Sequence, residues 1–128
     1  MIVGIGIDAV RISEISHLLD DGSGMLNSAF AKYTFSEREL REITGHPEEY
    51  LAARFAVKEA VFKAIAPALP EKTFDLRCVE SSHHEDGSPY VVLNRQTSEL
   101  MEKANVMRLH LSVTTEGDYA IAFVIAEN

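Results

Sequence analysis

Glu59 and Lys63 stand four residues apart in the run Leu51–Ile65, which reads as a helix. That spacing sets a carboxylate and an ammonium on one face, a turn from each other. Arg54 and Lys58 belong to the same run, so Arg54, Lys58 and Lys63 fall within ten residues of one another. A second carboxylate, Asp8, closes the apolar run that starts at Ile2. Paired carboxylates can hold a divalent cation, and an ammonium beside them can stabilise charge on a phosphate. The combination points to phosphoryl chemistry. Each residue also has an ordinary explanation. Asp8 is a good N-cap for a following helix, and Glu59 with Lys63 could be a solvated pair.

The elements that must position these groups follow from pattern. Residues 2–8 read as a buried strand rich in Ile and Val, in which Gly4 and Gly6 imply a close backbone approach or a bend. A third glycine is missing and the glycines precede the strand's end, so Gly4-Ile-Gly6 is not a dinucleotide loop. Ile12, Ile15, Leu18 and Leu19 recur at helical spacing over 10–20. A loop at Asp20–Gly24 follows, then a short helix over 27–34. Ser36 and Glu39 form a capping box for a helix that stops near Thr44 and Gly45. Pro47 suits the first turn of the next helix, with Glu48 and Glu49 at its positive end. That helix runs to about Ile65, and Pro67 and Pro70 forbid its continuation. The pattern then changes to strands: 74–80, a turn at Asp86–Ser88, a returning strand Pro89–Leu93. A short helix over 95–105 turns Leu100, Met101 and Ala104 inward. Strands at Met107–Val113 and Tyr119–Ile125 flank a turn at Thr115–Asp118. One strand, then helices, then an antiparallel set predicts an α+β fold.

Composition sets outer bounds. The 128 residues are 46% hydrophobic, which suits a single domain, 1–128, with one core. No apolar run approaches the ~20 residues of a membrane span, and the apolar start is too short for a signal peptide. A single cysteine, Cys78, fits a buried, inert thiol in a reducing cytosol, so the expected location is cytoplasmic. The net charge of −8 argues against nucleic acid and against anionic lipid, which both demand a broad basic surface. His110 lies in an alternating strand and reads as structural. His83-His84-Glu85-Asp86 reads as a solvated hairpin tip, because adjacent ligands do not converge on one ion.

Four segments together resemble the small holo-acyl-carrier-protein synthases, phosphopantetheinyl transferases. They are Gly4-Ile-Gly-Ile-Asp8 with Val10 and Ile12, Phe35-Ser-Glu-Arg-Glu39, Ala53-Arg-Phe-Ala-Val-Lys-Glu-Ala60 with Lys63 and Ala64, and His110-Leu-Ser-Val-Thr114 with Tyr119-Ala-Ile-Ala122 and Glu127. The hairpin Asp86-Gly-Ser-Pro-Tyr90 also fits. The third segment is the most specific. The resemblance implies transfer of 4′-phosphopantetheine from coenzyme A to a serine of an acyl carrier protein, with Mg²⁺, in fatty acid biosynthesis and lipid metabolism. It implies a homotrimer with sites at subunit interfaces. It makes Asp8 and Glu59 metal-binding carboxylates, Glu59 and Lys63 catalytic, and Arg54, Lys58 and Lys63 contacts for the coenzyme A phosphates.

Three stretches depart from that pattern. Ala66-Pro-Ala68 replaces a glycine-containing loop, and proline brings no N–H to a phosphate. Thr115 stands where a histidine often follows the Ser-x-Thr unit. The first helix has only Arg11 as an early basic residue, beside Glu14, Asp20 and Asp21. These departures suit an alternative: a non-catalytic relative acting as a binding or interaction domain.

Overall fold

The computed structural model describes all 128 residues, Met1–Asn128. Strand β1 (Ile2–Arg11) leads directly into helix α1 (Ile12–Leu19). After a 3-10 turn at Met25–Asn27 come α2 (Ala29–Thr34), α3 (Glu37–Arg41) and the long α4 (Pro47–Ile65). Further 3-10 turns at Ala66–Ala68 and Leu76–Cys78 lead to the short hairpin of β2 (Ser81–His83) and β3 (Pro89–Val91). Helix α5 (Arg95–Lys103) then precedes β4 (Arg108–Glu116) and β5 (Tyr119–Glu127). The main sheet has the order β1-β5-β4 and is antiparallel throughout. The α+β expectation therefore holds, as one layer of sheet under one layer of helix.

Helix α4 lies against the sheet along a seam of small residues. Ala52, Ala56, Ala60 and Ala64 recur every four residues and are all buried. Opposite them on β5 stand Ala120, Ala122, Val124 and Ala126, also buried. Strand β1 contributes Gly4 and Gly6. A Cβ on Gly4 would overlap the carbonyl oxygen of Ala64, and one on Gly6 would overlap that of Ala60. The glycines are thus read correctly as a close approach: only hydrogen fits between strand and helix. Period 2 then places Asp8, two residues beyond Gly6, on the same helix-facing side.

Around this seam the core fills with larger groups. Phe30 packs edge-on against Phe35 and Phe55, with ring centroids 5.9 and 5.4 Å apart. Such arrangements add to the burial gained by each ring. The opposite face of the sheet is different. Ile5 and Ile7, each 56% exposed, stand beside Phe123 with no layer over them.

Several boundaries differ from the sequence reading. β1 continues through Asp8 to Arg11, so Asp8 is not the N-cap of α1; that position is Arg11. The backbone N–H of Ser13 is held instead by Asp118 Oδ1 at 3.1 Å. α3 stops at Arg41, short of Thr44. The expected strand at 74–80 is absent. Asp75 caps a 3-10 turn by accepting from the Arg77 N–H. The Cys78 carbonyl accepts from Thr97 Oγ1 and Asn94 Nδ2, and the Leu76 and Val79 carbonyls accept from Lys58 Nζ. Side chains have taken the acceptors that a sheet ladder would have used.

The seam makes Gly6→Ala a sharp test. Relief of the overlap requires β1 to move off α4, so we expect a loss of about 1–3 kcal/mol in urea unfolding, the usual cost of overpacking. An unchanged midpoint would show that strand and helix have room to spare.

Candidate active site

The close approach of β1 to α4 brings Asp8 to the helix face that carries Glu59 and Lys63. Lys63 Nζ donates to the Ile7 carbonyl at 2.9 Å and to Asp8 Oδ1 at 3.3 Å. The ammonium is half exposed and the Asp8 carboxylate largely shielded, at 51% and 17%. Two of its three protons are engaged, which leaves one for an incoming anion. The four-residue spacing from Glu59 predicts a partner on its own helix; the ammonium bonds instead to the strand.

Glu59 is half-buried, and its carboxyl is pushed above the ordinary range. Burial is the largest cause, Asp8 adds to it, and Lys63 opposes both. The two carboxylates therefore feel each other, and the Lys63 ammonium acts on Glu59 with the opposite sign. Such a pair, partly desolvated and open on one side, is a recurrent sign of a functional site. Nowhere do three or more His, Cys, Asp or Glu side chains gather as a closed metal cage. Mg²⁺ does not need one: it keeps waters and takes one or two protein carboxylates together with substrate phosphates. The Asp8–Glu59 donor set, two hard oxygen ligands whose mutual repulsion a cation would relieve, fits that ion.

Arg54 occupies a different place on α4. Its guanidinium carbon lies 4.2 Å from the centroid of the Tyr50 ring, and its buried Nε has no hydrogen-bond partner. It lines a cavity of about 220 Å³ with Ser81 and His83 of β2 and Thr114 and Thr115 of β4. Val113, also in the lining, pairs with Ala122, which pairs with Asp8. The cavity thus sits two strands from Asp8, about 10 Å at ordinary strand spacing. Sequence reasoning did not single out Ser81 and read His83 as part of a solvated hairpin tip; His83 is indeed exposed, at the edge of this cavity. Their one signal was the turn Asp86–Ser88, which folds β2 back on β3, but no spacing rule ties that hairpin to α4.

Lys58 is a correction. The sequence reading made it a phosphate contact; the structure buries it at 1% exposure, ion-paired at 2.6 Å to Glu39, itself 4% exposed. Its remaining protons go to the Leu76 and Val79 carbonyls. All three donors are used inside the core, so none is left for a ligand. Glu39 also closes the capping box, accepting from the Ser36 N–H at 3.0 Å. Ser36 Oγ donates on to Glu80, which Asn94 holds from α5. This network joins α3, α4, the 76–80 segment and α5. Burial lifts the Glu39 carboxyl and lowers the Lys58 ammonium, each against the pull of its partner.

Ala66–Ala68 continues α4 as a 3-10 turn. No stretch of glycine backbone is offered there, and the last charged side chain of α4 is Lys63.

The model of the 4′-phosphopantetheinyl transferase superfamily matches residues 4–124. The chain is 35% identical over 130 residues to the holo-[acyl-carrier-protein] synthase of Hydrogenovibrio crunogenus, covering 100% of this chain and 98% of that one. Among solved structures, it matches the holo-[acyl-carrier-protein] synthase of Neisseria meningitidis with a TM-score of 0.83 at 33% identity, covering both chains fully. It also matches the Bacillus anthracis synthase solved in complex with CoA (3′,5′-ADP), with a TM-score of 0.72 at 27% identity, over 99% of this chain and 97% of that one.

Two experiments test the geometry without substrate. Lys58→Met strands Glu39 in the core, and we expect a loss of about 3–5 kcal/mol; pairing it with Glu39→Leu should recover most of that in denaturant unfolding. For Glu59, the folded state holds the proton more tightly than the unfolded chain does. Its contribution is present below the unfolded titration range and is lost as pH rises through the folded value. Glu59→Gln should therefore be more stable than the parent at neutral pH, with the gap closing in acid, and Asp8→Asn should bring the Glu59 carboxyl resonance to a lower titration point by NMR. An Asp8→Asn variant in which Glu59 titrates as before would separate the two carboxylates.

Proposed function

The chain belongs to the holo-[acyl-carrier-protein] synthases of the 4′-phosphopantetheinyl transferase superfamily, and we propose that it moves 4′-phosphopantetheine from coenzyme A to a serine of an acyl carrier protein. The observation that carries this reading is the meeting of Asp8, Glu59 and Lys63 on one open margin, inside a match that spans nearly the whole chain. The meeting of Asp8, Glu59 and Lys63 supports transfer over the non-catalytic alternative, which rests on Ala66-Pro-Ala68 and Thr115.

The reaction asks four things of the protein. The serine oxygen must reach the β-phosphorus of coenzyme A, and an O–P bond forms there. The bond from that phosphorus to the bridging oxygen breaks, and 3′,5′-ADP leaves with the electron pair. The serine proton needs an acceptor. The growing charge on the leaving diphosphate needs a cation.

Glu59 suits the acceptor role. Burial and Asp8 raise its basicity above that of an ordinary carboxylate, which a bound cation beside it would offset. Lys63 suits the cation role. The Ile7 carbonyl and Asp8 fix its ammonium in place, so little reorganisation is needed as charge develops. Asp8 and Glu59 would hold Mg²⁺, which when bound neutralises charge on the diphosphate. Arg54, in its cavity free of carboxylates, would take another phosphate of the coenzyme.

The same reading makes the chain a homotrimer. Ile5, Ile7 and Phe123 form an uncovered apolar sheet face of the kind that subunit contacts bury.

The test is incubation with coenzyme A, Mg²⁺ and a panel of apo carrier proteins, read as a carrier mass gain of one phosphopantetheine. Asp8→Ala and Glu59→Ala should each lower the rate roughly 100-fold or more, the scale of a lost general base or charge-stabilising group, while both variants remain folded. Near-parental rates in both would remove this site assignment.

A further inference from the structure

The buried network at Glu39 leaves one oxygen unanswered. Glu39 is 4% exposed. Its Oε1 accepts from the Ser36 N–H at 3.0 Å and from the Lys58 ammonium at 2.6 Å. Its Oε2 is buried and has no hydrogen-bond partner in the chain. A buried carboxylate oxygen without a donor is costly, and such atoms are nearly always met by a protein group or by ordered solvent.

Glu39 also lines a closed cavity of about 10 Å³, which is room for one water molecule. With Oε1 taken by Ser36 and Lys58, Oε2 is the oxygen left to face it. Tyr50 of α4 and Ser81 and Ser82 of β2 bring hydroxyls to the same lining. Ser81 is the one residue shared with the Arg54 cavity, where His83 stands beside it. Ser82 lines this cavity alone, as its place between them on a strand of period two requires.

The other charged groups here are occupied. Glu42 pairs with Arg38 at 3.2 Å, and Glu80 accepts from Ser36 Oγ at 2.9 Å and Asn94 Nδ2 at 3.0 Å. A metal ion fits poorly. It needs about six oxygens around it, no three acids or imidazoles gather to hold one, and Lys58 already gives Glu39 a full positive charge. A proton on Glu39 would leave the Lys58 ammonium unpaired in the core. Water answers the oxygen without adding charge, and it keeps lone pairs for a hydroxyl.

We propose that this cavity holds one water that donates to Glu39 Oε2 and bonds the Ser82 hydroxyl, so that α3 is joined to the hairpin through solvent. The hairpin has need of such an anchor. β2 and β3 form a two-stranded sheet of their own, three residues a side, with no ladder to the main sheet. A sheet of that size is marginal in isolation.

The first test is a crystal structure of the parent protein at high resolution. We expect a solvent peak about 2.7 Å from Glu39 Oε2 and within hydrogen-bond distance of Ser82 Oγ. No peak, with Oε2 bonded directly to a protein group, overturns the proposal. So does a peak ringed by six oxygens at about 2.0–2.5 Å, which is a cation. The second test is amide hydrogen exchange in Ser82→Ala, which leaves Glu39 and Lys58 in place. The Val92 N–H donates to the Glu80 carbonyl at 2.8 Å at the base of the hairpin. Its exchange should quicken roughly fivefold, the scale of one net hydrogen bond, while β5 amides keep their parental rates. Unchanged exchange at Val92 overturns the bridge to β2, even where the water itself is seen.

Discussion

The contact between β1 and α4 governs the rest of the molecule. Helix and sheet usually stand about 10 Å apart because side chains separate them. Here the helix offers alanines every fourth residue and the strand offers glycines at every second. With no Cβ at Gly4 or Gly6, the strand lies against the carbonyls of Ala64 and Ala60. The next helix-facing side chain after those glycines is Asp8. It is a short side chain, yet it reaches Lys63 because the backbone that carries it has already come close. The Asp8–Lys63 contact is therefore a consequence of packing. Two residues with no side chain at all decide whether a carboxylate and an ammonium 55 residues apart in the sequence can meet.

Helix α4 serves two ends at once, and its charged residues divide accordingly. Lys58 points into the core, where Glu39 and two carbonyls consume its protons. Lys63 points to the margin, where one proton is left free. Burying a charged pair seldom adds net stability over an apolar pair of the same volume. What the Lys58–Glu39 pair does supply is attachment. It ties the irregular 76–79 segment to the helix, and that segment leads directly into β2, which carries Ser81 and His83 to the Arg54 cavity. The two lysines thus act on the site in different ways, one by offering a charge and the other by fixing the chain that frames the cavity.

The boundary between what pattern reveals and what it hides runs through these same residues. Helix α4 was legible because Pro47, Glu48 and Glu49 mark its start, and Pro67 its end. The capping box at Ser36 and Glu39 was legible because it is local. Asp8, Glu59 and Lys63 were legible as a group only through likeness to a family; spacing alone left Asp8 as a possible helix cap. Lys58 was misplaced because three basic residues close in sequence look like one cluster. On a helix Lys58 and Lys63 are about 140° apart, which is enough to put one in the core and the other in solvent. The 74–80 segment was misread because its alternation is real, but its acceptors are claimed by side chains from α4 and α5. His83 was read as part of a solvated hairpin tip and is exposed, but nothing in a hairpin's own sequence reports which helix it packs beside.

The proposal that an acidic chain takes an anionic coenzyme needs a physical account, and the distances provide it. At physiological ionic strength the field of a solvated charge fades over about 8 Å. Most of the twenty acidic side chains are spread over the surface and act weakly on a ligand already seated. Inside the cavity the balance is local: Arg54 and His83 face it, and no carboxylate does. At the margin, Asp8 and Glu59 do face a ligand, and their charge is answered by Lys63 and by the divalent cation that two carboxylates and a diphosphate can share. Net charge excluded partners that demand a wide basic surface, and it says nothing about a site a few ångströms across. The two parts of the site would meet anionic groups by opposite means, one by keeping acids out of its lining and the other by placing two acids where a cation would join them. The second arrangement is strained until it is filled, since burial and mutual repulsion both disfavour the ionised pair. A cation shared with a diphosphate, as the proposed function has it, would relieve that strain and favour the two together over either alone.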